Sequence, residues 1–170
     1  MLAAFVIASM CFVPHATAAT KLPIGYSVTT LGTLNDPGSS TVVRRVNSLG
    51  EAVGSFKSGK TRQTAAAFIL SNTAGFDEIT DQQRTDFSAL YGINDFGEVA
   101  GAINGPNSVL PFRAVRHTGF HLLPLLGQDT SGAAYGINDR GESVGSSGGP
   151  SGLRAVWWTR QGDIFELPSL

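Results

Sequence analysis

The sequence predicts an all-β protein of tandem four-stranded antiparallel blades, β-propeller-like and partial or open, with three blades after one N-terminal strand. Two observations carry this. A seven-residue mark, clearest as Gly136-Ile137-Asn138-Asp139-Arg140-Gly141-Glu142, recurs along the chain. Around it, short apolar segments alternate with turn residues, and no stretch of the mature chain sustains a helical period.

In chain order, residues 1–18 read first, as a secretory leader. Leu2 to Val13 is almost wholly apolar, Pro14 breaks the run, and Ala16-Thr17-Ala18 gives the small-x-small pattern of cleavage after Ala18. No Lys or Arg precedes the run. It is too short to cross a bilayer, so no stable membrane span is expected in the mature chain. Cys11 is the only cysteine and lies inside the leader between Met10 and Phe12, a context that argues against lipidation. Cleavage removes the thiol, and with it disulfides, thiolate catalysis and cysteine–zinc sites. The expected compartment is extracellular or periplasmic, in a bacterium.

Residues 19–170 read as one repeat domain, with units at about 26–80, 81–126 and 127–170. The 42% hydrophobic content suffices for a packed core, and the 21 glycines read as turn punctuation. A formal net charge of −1 leaves no basic footprint for nucleic acid.

Tyr26–Gly32 reads as a fourth-strand type, d, ahead of three complete a-b-c-d units. In the middle unit the strands fall at Ser88–Ile93, Glu98–Ala102, Phe112–His117 and Phe120–Leu125. Asn47, Asn94 and Asn138 mark the a–b turns, 47 and then 44 residues apart. Asn-x-x-Gly fits a type I turn: Asn caps the backbone two residues on, and Gly accepts positive φ at the fourth position. Asn47/Gly50, Asn94/Gly97 and Asn138/Gly141 are therefore structural turn residues. The second glycine, at 54, 101 and 145, implies a bulge or the close approach of another backbone. On strand a, Thr41/Val43, Ser88/Leu90 and Gly132/Ala134 are expected on one face, with Val46, Ile93 and Ile137 on the other. The third strands align as Ala67-Phe68-Ile69-Leu70, Ala114-Val115-Arg116-His117 and Ala155-Val156-Trp157-Trp158.

Units of about 45 residues in tandem are the size of propeller blades, which must stack to bury their faces. The I-N-x-x-G-x-V-x-G-like motif, followed by a block comparable to H-A-F-x-W, resembles the bacterial extracellular HAF-repeat protein family. The likeness runs from about Tyr26 to Leu170. The second block departs from the pattern, with Ala66, Arg113 and Arg154 at the histidine position, Phe only at Phe68 and the closing Trp only at Trp158. The resemblance implies an extracellular compartment and a propeller-like fold, and no reaction. The residues available for closure suggest an array cut short, or an open arc completed by self-association.

Candidate chemistry is sparse. Gly145-Ser146-Ser147-Gly148-Gly149 matches G-x-S-x-G but lacks the strand–turn–helix setting of a nucleophile elbow, and reads as a b–c loop. His117 and His121 flank a turn and offer two imidazoles where a metal needs a third ligand. Asp36, Asp81, Asp86 and Asp129 all fall in d–a connections, and Lys57, Lys60 and Arg62 cluster in the first b–c loop. No catalytic residue, metal ligand or cofactor is assigned. The expected ligand-face residues are Lys57, Lys60, Arg62, Asp81, Asp86 and Asp129, because variable b–c and d–a connections share one end of a rigid scaffold. The expected function is an exported, non-catalytic binding or structural module for a protein or glycan partner. The alternative is a glycan-active hydrolase or lyase working through loop carboxylates.

Overall fold

A computed structural model describes residues 39–57, 65–71, 75–79, 88–116 and 119–168, all within the compact unit Thr33–Leu170. The leader and the Tyr26–Gly32 strand lie outside the described residues. So do Asp36, Lys60, Arg62, Asp81, Asp86 and His117.

The chain is all-β, with no helix among the described residues. Among the described residues, twelve strands form three antiparallel four-stranded sheets. The first holds β1 (Ser40–Val46), β2 (Ala52–Lys57), β3 (Ala66–Ser71) and β4 (Gly75–Ile79). The second holds β5 (Ser88–Ile93), β6 (Glu98–Asn104), β7 (Val109–Val115) and β8 (Gly119–Leu122). The third holds β9 (Ser131–Ile137), β10 (Ser143–Gly149), β11 (Gly152–Trp158) and β12 (Ile164–Glu166). Each sheet runs in sequence order, up and down.

Every sheet carries the same defect. Pairing of the first two strands skips one residue: Arg44 between Val43 and Arg45, Tyr91 between Leu90 and Gly92, and Tyr135 between Ala134 and Gly136. These are β-bulges, and they explain the second glycine. A Cβ on Gly54, Gly101 or Gly145 would collide with the carbonyl oxygen of Val42, Ala89 or Ala133. The bulge thus sits on the first strand, and glycine on the second makes room for it.

The bulge also corrects the expected faces. Val43 pairs with Gly54 and Val46 with Ala52, two residues apart on one partner strand, so both point the same way. Leu90 and Ile93 accordingly enter the same core cluster. Strict alternation puts them on opposite faces; one extra residue cancels the change of parity.

The third strands need a second correction. Gly54, Gly101 and Gly145 pair with Phe68, Phe112 and Val156. The middle block is therefore Pro111-Phe112-Arg113-Ala114, three residues earlier than composition implies. The error arises because Ala67, Ala114 and Ala155 look alike while Pro111 holds the true position.

The sheets stack in order. β5 packs on β1, β2 and β3, and β9 packs on β5, β6 and β7. One core joins Val53, Ala67 and Ile69 of the first sheet to Leu90, Ile93, Val99, Ile103 and Phe112 of the second. Another joins Ala100 of the second to Ala134, Val156 and Trp158 of the third, with Leu123 beside them. Full burial of each large aliphatic side chain contributes about 1.5–3 kcal/mol, so the stacking faces dominate stability. The indole N–H of Trp158 donates to the Pro124 carbonyl over 2.8 Å, which satisfies the polar group this burial encloses.

Candidate functional site

The repeated turn residues build a ladder between units. Gly50, Gly97 and Gly141 have φ of 77°, 74° and 75°, as the fourth turn position requires. Asn94 Oδ1 accepts the N–H groups of Phe96 and Glu98 over 3.0 and 2.9 Å. Its Nδ2 donates to Glu98 Oε2 over 2.7 Å and to the Asn138 carbonyl of the next unit over 2.9 Å. Asn47 repeats this pattern, with Nδ2 donating to Glu51 Oε2 and to the Asn94 carbonyl. The aspartates add a second rail. Asp95 Oδ1 accepts the Ser48 N–H over 2.9 Å, and Asp139 Oδ1 accepts the Asp95 N–H over 3.0 Å. Asp95 also takes the Ser48 hydroxyl, and these bonds lower its pKa below the usual aspartate value.

A third rail consists of ion pairs. Glu51 accepts from Arg116 of the following unit over 3.4 Å, and Glu98 from Arg160 over 3.1 Å. Arg116 and Arg160 are equivalent once the third strands are aligned by their pairing, each four residues past the partner of the second glycine. Arg113 adds bonds to the Gly141 and Arg160 carbonyls over 2.7 and 2.9 Å. The sequence shows the Asn, Asp and Glu at fixed offsets; their bonds to the neighbouring unit depend on stacking, which spacing does not reveal.

The bulge residues form a separate stack that sequence reading missed. Arg44 lies over the Tyr91 ring at 4.9 Å, and Tyr91 meets Tyr135 edge-on at 5.4 Å. Tyr135 remains 50% exposed. Burial raises the Tyr91 pKa above the ordinary phenol value, while the Arg44 charge opposes the rise. The available signal was a shared offset, three residues before each turn asparagine.

At the opposite ends of the sheets, Lys57 closes β2 and is exposed. Asp129 lies in the connection before β9, its side chain only 2% exposed. Its Oδ2 accepts the Ser147 hydroxyl over 2.7 Å and Arg154 Nη2 over 2.8 Å. The Ser147 bond and then Arg154 hold its carboxyl below the usual range. Arg154 reaches on to Glu166 at 2.9 Å. Ser147 lies within β10 rather than in a loop, and also accepts the Leu126 N–H. The G-x-S-x-G run is therefore an extended strand tied to Asp129. His121 pairs across the hairpin with Arg113. No group of three His, Cys, Asp or Glu side chains placed to hold a metal occurs among the described residues, and no helix there is long and apolar enough to cross a membrane.

The chain matches no protein-family model, no curated protein and no solved structure. Its own geometry carries the assignment of parts. One edge of the stack holds repeated polar residues bonded unit to unit. The other holds the unrepeated connections 105–108 and 123–130. A cleft of about 600 Å³ opens on the third sheet, lined by Gly136, Asn138, Glu142, Val144 and Trp157 together with Arg45 of β1.

Proposed function

We propose that the chain is an exported, non-catalytic module of propeller-like repeats, similar in kind to the HAF-repeat proteins, that binds a protein or glycan partner or serves as a structural element. One observation supports this above others: the residues that recur in every unit are consumed in bonds within and between units. Asn94 uses its amide for four hydrogen bonds, and Asp95 and Glu98 are both engaged by neighbouring units. A repeat whose signature is scaffold leaves recognition to the positions that differ, in the b–c and d–a connections. Lys57, Lys60, Arg62, Asp81 and Asp86 are the proposed contributors, whereas Asp129, its carboxylate enclosed and bonded to Ser147 and Arg154, serves the scaffold.

The paired state of Asp129 also favours binding over proton transfer. A carboxylate held low by a hydroxyl and a guanidinium stays ionised near neutral pH and is a poor general acid. The test is a glycan-binding array run beside a hydrolase and lyase screen on the secreted protein. Binding without turnover is the expected result. Turnover abolished by Asp86→Asn or Asp129→Asn, with the fold retained, establishes the glycan-active alternative instead.

A further inference from the structure

We propose that the open face of the third sheet is a docking surface for a further unit of the same four-stranded repeat. Its occupant carries an Asn-Asp-x-Gly-Glu turn and an arginine just past its third strand.

The argument is continuity with the two interfaces already formed. Each sheet directs the same positions at its successor. Val53, Ala100 and Val144 are equivalent, each immediately preceding the second glycine; the first two are 0% exposed and Val144 is 48% exposed. Ile69, Arg113 and Trp157 are likewise equivalent. Ile69 is buried in the first interface and Arg113 bonds across the second, while among the described residues Trp157 stacks only on Phe165 of its own sheet, and Phe165 is exposed.

The polar rails stop at the same face. Among the described residues, Asn138 Nδ2 donates only to Glu142, whereas Asn47 and Asn94 each make a second bond to the next unit. The Asp139 N–H has no described acceptor, whereas those of Ser48 and Asp95 each reach an aspartate one unit on. Among the described residues, Glu142 is bonded only by Asn138 and by Arg140 of its own turn, where Glu51 and Glu98 receive an arginine from the following unit. An apolar patch, one amide hydrogen, one backbone N–H and one carboxylate thus await the same partner. The stacking geometry of the other interfaces supplies all of them at once.

A second copy of this chain is the poorer occupant. Its first unit has Ser48 where the others have aspartate, Arg45 where they have glycine, and Asn72 four residues after Phe68 where they have arginine. Gly92 shows why glycine matters there: a Cβ on it would stand 3.0 Å from the Gly136 Cα of the next sheet. The middle unit carries the full set, with Gly92, Asp95 and Arg116.

The experiment uses the full chain with a Val144→Cys probe on a Cys11→Ser background, alone and with residues 81–126 fused after Leu170. Thiol labelling is expected to slow by about tenfold or more in the fusion, because burial limits access to a thiol. A fusion whose added unit carries alanine at the positions of Asp95 and Arg116 is expected to protect less. Hydrogen exchange at the Asp139 amide reads the same contact without a cysteine. Unchanged labelling together with unchanged exchange at Asp139, in a fusion whose added unit is folded by its own exchange protection, overturns the proposal. So does protection in the unfused chain that grows with concentration as light scattering reports a doubled mass, since the occupant is then a second copy.

Discussion

Asn47 donates from its side-chain nitrogen to the backbone carbonyl of Asn94, 47 residues away, over 3.0 Å. The same asparagine closes its own turn through Oδ1, which accepts the N–H groups of Leu49 and Glu51. One side chain therefore fixes a hairpin and fastens it to the next. This joint role makes the three asparagines unequal.

Asn94 is buried and has a neighbour on both sides; Asn138 is exposed and has one. Asn94→Ala is expected to destabilise the fold by about 2–4 kcal/mol, because it strands buried donors and acceptors. Asn138→Ala is expected to cost about 1 kcal/mol, the value of an exposed cap. Urea unfolding of the two variants checks the order, and equal losses contradict the ladder.

Acid should weaken the protein in a defined direction. Asp95, Asp129 and Glu142 all have lowered pKa values, held by Ser48, by Ser147 with Arg154, and by Asn138 with Arg140. The unfolded chain binds protons before the folded one, so stability is fully present above the ordinary carboxylate range of about 4 and falls as pH drops through the lower folded values. Unfolding midpoints from pH 7 to pH 2 are expected to decline below about pH 4. Asp95→Asn should lower the plateau and flatten the decline; an unchanged acid limb contradicts the Ser48 contact.

The second glycines should resist replacement more than the turn glycines. Gly101→Ala sets a Cβ against the Ala89 carbonyl and 2.9 Å from the Phe112 ring, for an expected loss of about 3 kcal/mol. Gly97→Ala meets only Glu51 at 3.9 Å and suffers chiefly from its positive φ, for about 1 kcal/mol. Thermal unfolding of both variants tests the difference, and a larger loss at Gly97 refutes the close-approach account.

Glu98 and Arg160 should couple weakly, since the arginine is largely exposed. A double-mutant cycle with Glu98→Gln and Arg160→Met is expected to give at most about 1 kcal/mol, shrinking in high salt. Arg113→Met should cost more, because it abandons two carbonyls. Coupling that persists in molar salt contradicts the exposed geometry.

Much of the fold is legible in the sequence because its signals are local. Asn94 and Gly97 announce a turn, and the segments beside them alternate or run apolar over strand length. The Ser88–Ile93 strand is found with its ends intact. What escapes is whatever depends on pairing. The register of Phe112 against Gly101 comes from hydrogen bonds across strands, and Pro111 disguises it. The stack of Arg44, Tyr91 and Tyr135 arises from a bulge, and residue type does not mark one. Asp129 is visible as a loop acid; its bond to Ser147 requires the fold. Lys60, Arg62, Asp81 and Asp86 lie outside the described residues, so among the described ones the proposed ligand face is marked by Lys57, while Asp129 is enclosed.

The bulge at Tyr91 has a consequence for the kinds of mutation the gene can bear. Loss of the Tyr91 codon leaves Leu90, Gly92 and Ile93 as consecutive strand positions against Gly101, Ala100 and Val99, so plain alternation keeps Ile93 on the face of Leu90 and only the bulge disappears. Substitution keeps the spacing: Tyr91→Ser gives up the contacts with Arg44 and Tyr135 but leaves Ile93 inside. In-frame deletion and substitution should therefore both lower the unfolding midpoint while leaving the transition cooperative, an outcome that circular dichroism melts will read directly. At this position the chain can give up a residue without giving up its core.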